Sequence, residues 1–162
     1  MANIIIGVMG PGGGAGDSDL EIAYELGKLI ADEGWTLLTG GRRAGVMDAA
    51  SRGAKESGGL TVGILPGHDR AGVSPHVDVP VVTGVGSARN NINVLSCDLV
   101  FACGVGMGTF SEVLLAVKAG KQVILLNQTE ASINFLEQFA SDRIHFVSAP
   151  SEAIELAARL LD

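Results

Sequence analysis

Apolar residues fall along the chain in two alternating rhythms. Short unbroken apolar runs mark buried strands, and stretches with apolar positions every three or four residues mark amphipathic helices. Asn3–Val8 reads as a first buried strand, followed by the glycine-rich segment Gly10–Gly16. A helix then starts at a capping-box pattern, Ser18 and Glu21, in which each side chain satisfies a free backbone N–H at the entrance. Ile22, Leu26, Leu29 and Ile30 share one face of this helix, and Gly34 suits its C-terminal cap. Further strands are predicted at Trp35–Leu38, Leu60–Leu65, Val79–Val82, Leu99–Cys103, Val123–Leu126 and Ile144–Val147. Helices are predicted over Val46–Glu56, Ser87–Leu95, Thr109–Ala119, Ala131–Ala140 and Ser151–Leu161, with Gly67–Pro75 a polar loop. No linker or internal repeat interrupts the alternation. It predicts one α/β domain over residues 1–162, a Rossmann-like three-layer fold with a mostly parallel sheet covered on both faces.

Composition narrows the functional classes. Apolar residues make up 47% and charged residues 18%, enough apolar material for a substantial core. The formal net charge of −7 argues against broad binding to nucleic acid or to anionic membranes, which needs a positive field. The uncharged start Met1–Gly16 lacks the basic residues of a signal peptide, and no uncharged stretch is both long and apolar enough to span a bilayer. Cys97 and Cys103 are too few for a disulfide scaffold and wrongly spaced for zinc, so a reduced, cytoplasmic setting is expected. His68, His76 and His145 share no metal-ligand spacing, and no metal held by protein side chains is expected.

Ligands of parallel α/β sheets bind beyond the carboxyl ends of the strands. Three glycine loops are predicted there: Gly10–Gly16, Thr39–Gly45 and Gly104–Thr109, each following an apolar strand and opening a helix. Glycine lets a backbone approach an oxyanion closely, and a helix N-terminus offers free N–H groups with partial positive charge. The expected ligand is therefore phosphate-bearing or similarly anionic, although tight strand–helix turns also need glycine. Gly10, Gly12 and Ala15 satisfy the dinucleotide fingerprint, but the second strand ends at Thr39-Gly40-Gly41 without the acid that would hold a ribose. Neither Gly27-Lys28 nor Gly120-Lys121 is followed by Ser or Thr, so the Walker A pattern fails. Neither NAD nor P-loop chemistry is expected.

Two segments carry a family resemblance. Gly40-Gly41-Arg42-Arg43-Ala44-Gly45-Val46-Met47 resembles the G-G-x-x-G-x-M segment of the SLOG superfamily, and Gly106-Met107-Gly108-Thr109-Phe110-Ser111-Glu112 resembles the second half of its P-G-G-x-G-T-x-x-E motif. That superfamily includes cytokinin-activating phosphoribohydrolases and molybdenum cofactor carriers. The compact length, the opening Gly7–Gly13 and Gly104-Val105-Gly106 in place of P-G-G make the chain most similar to the carriers. The hydrolases carry an Arg-Lys pair before the second motif. Here Arg89 matches the arginine, Asn90 replaces the lysine, and Ser111 stands where those enzymes usually have another acid.

The resemblance implies binding, protection and transfer of the molybdenum cofactor, an anionic pterin with a terminal phosphate and a dithiolene-bound metal. It implies binding residues Gly10, Pro11, Gly12, Gly13, Thr39, Gly40, Gly41, Arg42, Gly45, Arg89, Gly106, Met107, Gly108, Thr109 and Glu112. Molybdenum-dependent enzymes would be the recipients, and a homo-oligomer, at least a dimer through helices of the sheet's faces, is implied as well. The mean hydropathy of +0.36 agrees with some apolar surface being covered. The alternative is hydrolysis of the N-glycosidic bond of a nucleoside 5′-monophosphate, with Arg89 and Glu112 as catalytic residues. A ligand sensor is a third possibility. Simpler roles stay open: Arg42 and Arg43 as solvated loop cations, Asp48 as a solvated acid at a helix start, and Thr109 with Glu112 as a second capping box.

Overall fold

Seven strands pair side by side, all parallel, in the order β4-β3-β2-β1-β5-β6-β7. They are β1 (Ile5–Met9), β2 (Thr36–Thr39), β3 (Thr61–Leu65), β4 (Val79–Val82), β5 (Leu99–Cys103), β6 (Gln122–Leu126) and β7 (Ile144–Phe146). The computed structural model describes residues 3–139 and 142–162. The central strands β1, β2, β5 and β6 are mostly apolar and buried along nearly their whole length, as a helix-covered parallel sheet requires. The predicted strands are all present, with ends moved by one or two residues. β4 is an edge strand, which is where the ladder tolerates Pro80.

Helices α1 (Asp17–Asp32), α2 (Gly45–Glu56) and α6 (Pro150–Leu161) contribute to a core with Ile6, Val8, Phe101 and Ile124 on one face of the sheet. Helices α3 (Arg89–Leu95), α4 (Met107–Lys118) and α5 (Glu130–Leu136) contribute to a second core with Met9, Val100, Ala102 and Leu125 on the other. These are the three expected layers. α1 and α2 meet through glycines: a Cβ on Gly27 would strike the Ala50 carbonyl, and one on Gly53 the Tyr24 carbonyl. Among the described residues no helix is long and apolar enough to cross a membrane.

The helix ends correct the sequence reading. α1 starts at Gly16, not at a Ser18–Glu21 box; the carboxylate of Asp19 reaches back to accept the Gly16 N–H at 3.0 Å, leaving Ser18 inside the helix. Its other end is as predicted. Gly34 at φ +73 closes a Schellman motif, its N–H donating to Ala31 at 2.9 Å and that of Trp35 to Ile30 at 3.1 Å. α4 begins two residues before Thr109, with Gly106 as N-cap, so Thr109 and Glu112 form no capping box. The predicted helix over Ser87–Leu95 is a short 3-10 turn, Gly86–Ala88, running into α3. α5 ends at Leu136 rather than Ala140, which lies outside the described residues.

Candidate functional site

The chain builds the sheet outward from β1 to β4, then returns to place β5 on the other side of β1. Loops after β1 and β5 therefore leave in opposite directions, and the crevice between them is the place where open α/β sheets take ligands. A cleft of about 570 Å³ lies there, within the usual size range for small-molecule sites. Its walls include Gly10, Pro11, Gly12 and Gly13 after β1, Gly40 and Arg42 after β2, Arg89 on α3, and Gly106, Met107, Gly108, Thr109 and Glu112 at the start of α4. Twelve of the fifteen residues singled out from sequence thus face one space.

Thr39, Gly41 and Gly45 stand behind the cleft. Thr39 is buried, and its hydroxyl accepts the Gly41 N–H at 3.0 Å. Gly45, at φ +50, lies so close to the carbonyls of Pro11 and Gly12 that no side chain fits between. These three shape the loops that the others present.

The start of α4 opens on the cleft, and the first turn of α2 reaches it only through Met47. The first turn of α1 lies outside it, and α2 abuts the first loop, its Val46 N–H donating to the Pro11 carbonyl at 3.0 Å. The N-cap of α4 is Gly106, with no side chain over the helix end. A Cβ on Gly108 would meet nothing within 4 Å. Free N–H groups and the positive end of the α4 dipole therefore face the cavity.

Arg89 supplies the buried cation. It is 8% exposed, and its guanidinium occupies the space that a side chain on Gly40 would need. Among the described residues no carboxylate lies within ion-pairing distance of it. Burial lowers its pKa from the ordinary value, Glu112 opposes that shift and Arg42 adds to it. A guanidinium still keeps its proton at neutral pH, so this is a desolvated positive charge with no protein counter-ion in contact.

Glu112, one turn along α4 from Gly108, is 7% exposed. Burial pushes its carboxyl up to about 7, against the hydrogen bond from Asn93 and the charge of Arg89. Asn93 Nδ2 donates to Glu112 Oε1 at 2.9 Å. Beside it the buried Thr109 Oγ1, like Asn93 Oδ1, has no hydrogen-bond partner among the described residues. The site thus offers an unpaired cation, an open helix start, an orphan hydroxyl and a carboxyl that titrates near neutrality.

Several wall residues were missed. Met9 lies just past the first predicted strand, Met47 enters only as the last letter of the G-G-x-x-G-x-M segment, and Pro66 falls between a predicted strand and a predicted loop, although that position at the sheet's carboxyl edge was a usable signal. Asn93 follows Arg89 by four residues, which places both on one helix face. Arg42 reaches the cleft from a loop braced by a bridge to Val73, while Arg43 is exposed outside it. Asp48 is not simply solvated: it accepts from Ser74 Oγ at 2.6 Å and ties down the loop after β3. Cys103 does not line the cleft, and burial pushes both thiols up to about 12.

The model of the SLOG cluster4 family matches residues 3–154. The molybdenum cofactor binding protein from the phototrophic bacterium Rippkaea orientalis is 53% identical, with a TM-score of 0.98 over 100% of this chain and 99% of that one. The molybdenum cofactor carrier protein from Chlamydomonas reinhardtii is 47% identical, with a TM-score of 0.94 over 99% of each chain. A cytokinin riboside 5′-monophosphate phosphoribohydrolase from Mycobacterium tuberculosis is 47% identical over only 47 residues, 29% of this chain and 25% of that protein.

Proposed function

The chain belongs to the SLOG cluster4 family, and we propose that it binds, protects and hands on the molybdenum cofactor through the cleft between β1 and β5. The observation that carries this reading is Arg89, a buried cation with no carboxylate in ion-pairing contact among the described residues, lining the same cleft as the uncapped start of α4. Such a pair suits one anionic end of a ligand. The remaining wall, with Pro11, Met9 and Met47, suits a flat, partly apolar body. The likeness to two proteins described as binding or carrying this cofactor supports the choice among anionic ligands. A carrier needs shelter and release rather than a catalytic base. Recipients would be molybdenum-dependent enzymes, and the setting the cytoplasm.

The test is anaerobic incubation with the cofactor, gel filtration, and assay of molybdenum and pterin in the protein peak. Co-elution well above an albumin control is expected, and its loss in Arg89→Ala. Equal co-elution in protein and control would sink the carrier reading.

One observation favours a second reading, cleavage of nucleoside 5′-monophosphates. Glu112, with its carboxyl near 7, lies in the same cleft as Arg89, and a carboxyl poised near neutrality suits proton transfer. Release of ribose 5-phosphate from such substrates distinguishes it.

A further inference from the structure

Asp19 is a buried carboxylate that does not touch the cleft. It sits in the first turn of α1, 8% exposed, and its Oδ2 accepts the Gly16 N–H at 3.0 Å. Its Oδ1 accepts from Asn127 Nδ2 at 2.6 Å, and its backbone carbonyl accepts the Cys103 thiol at 3.3 Å. Gly104, at φ +77, lies against the same carboxylate: a Cβ there would stand 2.5 Å from Oδ1.

Asn127 follows β6 directly and is the one non-glycine among the described residues with a positive φ, 52°. The left-handed region is costly for most side chains and least so for asparagine. This conformation accompanies the hydrogen bond to Asp19. The next residue, Gln128, donates Nε2 to the Gly104 carbonyl at 2.7 Å, while the Gly104 N–H donates to the Leu126 carbonyl at 3.1 Å. Gly104 is thus held at both backbone polar groups and against its Cα. Two residues later the chain reaches Gly106, the N-cap of α4 and a wall of the cleft.

A buried negative charge near loops that receive an anion works against that anion, so a gain in geometry must offset it. We propose that Asp19 and Asn127 are positioning residues, a strap that ties the loop after β1 to the loop after β5 and so fixes the spacing of the two glycine walls. This deepens the carrier reading and rests on it for the identity of the cargo. The strap acts from outside the cavity: Asp19 holds the end of the first loop at Gly16, Asn127 holds Asp19, and Gly104 packs against the Asp19 carboxylate while bonded to Leu126 and Gln128 on either side of Asn127.

The test uses the full chain and two readouts, anaerobic uptake of the molybdenum cofactor and, in cargo-free protein, hydrogen exchange of the Gly104 and Phe110 amides, the two hydrogen-bonded ends of the Gly104–Phe110 segment. Asn127→Asp sets two carboxylates against each other; uptake affinity falls about ten-fold and exchange in that segment rises by a similar factor, the scale of losing a hydrogen bond to a charged group. In the double variant D19N/N127D the amide and carboxylate trade places, the hydrogen bond re-forms in the opposite direction, and both readouts return to within about three-fold of wild type, the usual context spread for such a bond. Asn127→Gly keeps the left-handed backbone and deletes the side chain, so it reports on the strap if Asn127→Asp does not fold. A double variant as impaired as N127D, or an N127G protein whose Gly104 and Phe110 exchange matches wild type, overturns the strap. Wild-type protein that takes up no cofactor overturns the carrier reading alone, because exchange in cargo-free protein decides the strap by itself.

Discussion

Asn90 donates its side-chain amide to the Ser111 hydroxyl at 2.9 Å, joining α3 to α4 beside the cleft. These are the two positions at which the chain departs from the charged pattern of the phosphoribohydrolases it resembles. The departures touch, so they act as one change. Ser111 also donates to the Gly108 carbonyl at 2.7 Å, which braces the first turn of α4. Ser111→Glu puts a carboxylate there without a partner and should weaken uptake of an anionic cofactor. Asn90→Lys in the same protein should recover part of the loss. A double-mutant cycle on cofactor affinity should give a coupling of about 0.5–3 kcal/mol, the range for residues in contact. Zero coupling would show that the two positions contribute separately.

Gly108 tests the anion seat directly. Its Cβ position is open space, so Gly108→Ala should fold and bind nearly as wild type does. Gly108→Asp adds a carboxylate at the open helix start. Two unit charges 4 Å apart at an effective dielectric near 20 repel by about 4 kcal/mol, so cofactor affinity should drop about 100-fold or more. Molybdenum content after gel filtration checks this, with circular dichroism verifying the fold. An aspartate variant that loads like the alanine variant removes the α4 start from the site.

The glycine loops were legible in the sequence because Gly10, Gly40, Gly45 and Gly104 each leave no room for a Cβ. Their common cleft was legible too, since a parallel sheet gathers every strand's carboxyl end at one edge. Helix starts were not. T-x-x-E at Thr109 and Glu112 has the letters of a capping box, yet Gly106 starts the helix earlier, and the two side chains face the cleft instead. The same holds for Ser18 and Glu21, displaced by Asp19, whose contacts include Asn127, 108 residues away. Caps chosen by tertiary partners leave no local trace. Asn93 was hidden for a similar reason, because its partner Glu112 lies on another helix.

Gly53 carries a stability prediction. It packs on the Tyr24 carbonyl, and backbone cannot swing aside as a flexible side chain can. Gly53→Ala gains helix propensity worth about 1 kcal/mol, but the overpacking of α1 against α2 costs about 1–3 kcal/mol. The net result should be destabilisation, read as a lower urea midpoint at unchanged slope. A variant more stable than wild type would mean that the two helices separate freely.

Glu112 makes both binding and stability depend on pH. Its carboxyl is raised from 4.5 to about 7 in the folded protein, so between those values the folded state holds a proton that the unfolded chain releases. Stability from this group is fully present below about 4.5 and falls as pH rises through about 7. Glu112→Gln keeps an acceptor for Asn93 and removes the titration. It should therefore be more stable than wild type at pH 8, by an amount on the order of 3 kcal/mol or less, with the difference shrinking in acid. Thermal melts across that range check the sign. The same variant separates the functions. A carrier should hold the cofactor as well or better without the negative charge, whereas an enzyme relying on the carboxylate should lose about 10²–10⁴ in turnover. Wild-type release of ribose 5-phosphate that vanishes in Glu112→Gln would favour the hydrolase.

We propose that the self-association implied by the family resemblance uses one face of the sheet. Among the described residues the exposed large apolar side chains include Ile92 and Leu95 on α3, Leu114 on α4, and Phe135 and Phe139 at α5 and just beyond, and none lies on α1, α2 or α6. Phe135 meets Phe139 in a tilted pair with ring centroids 5.1 Å apart and Phe110 edge-on at 6.2 Å, so the three rings adjoin. Phe135 is 45% exposed and Phe139 58% exposed, and exposed apolar clusters are where subunits meet most readily. A twofold dimer would let the same patch cover itself on both subunits. We therefore expect at least a dimer by light scattering at micromolar concentration. The paired change Leu95→Ser and Phe139→Ser should shift the mass toward the monomer with helical content unchanged, since both side chains are more than half exposed. A charge substitution on the opposite face, Lys28→Glu on α1, should leave the mass alone. Wild-type protein that runs as a monomer, or a dimer broken by the α1 change and not by the paired one, would move or remove the interface.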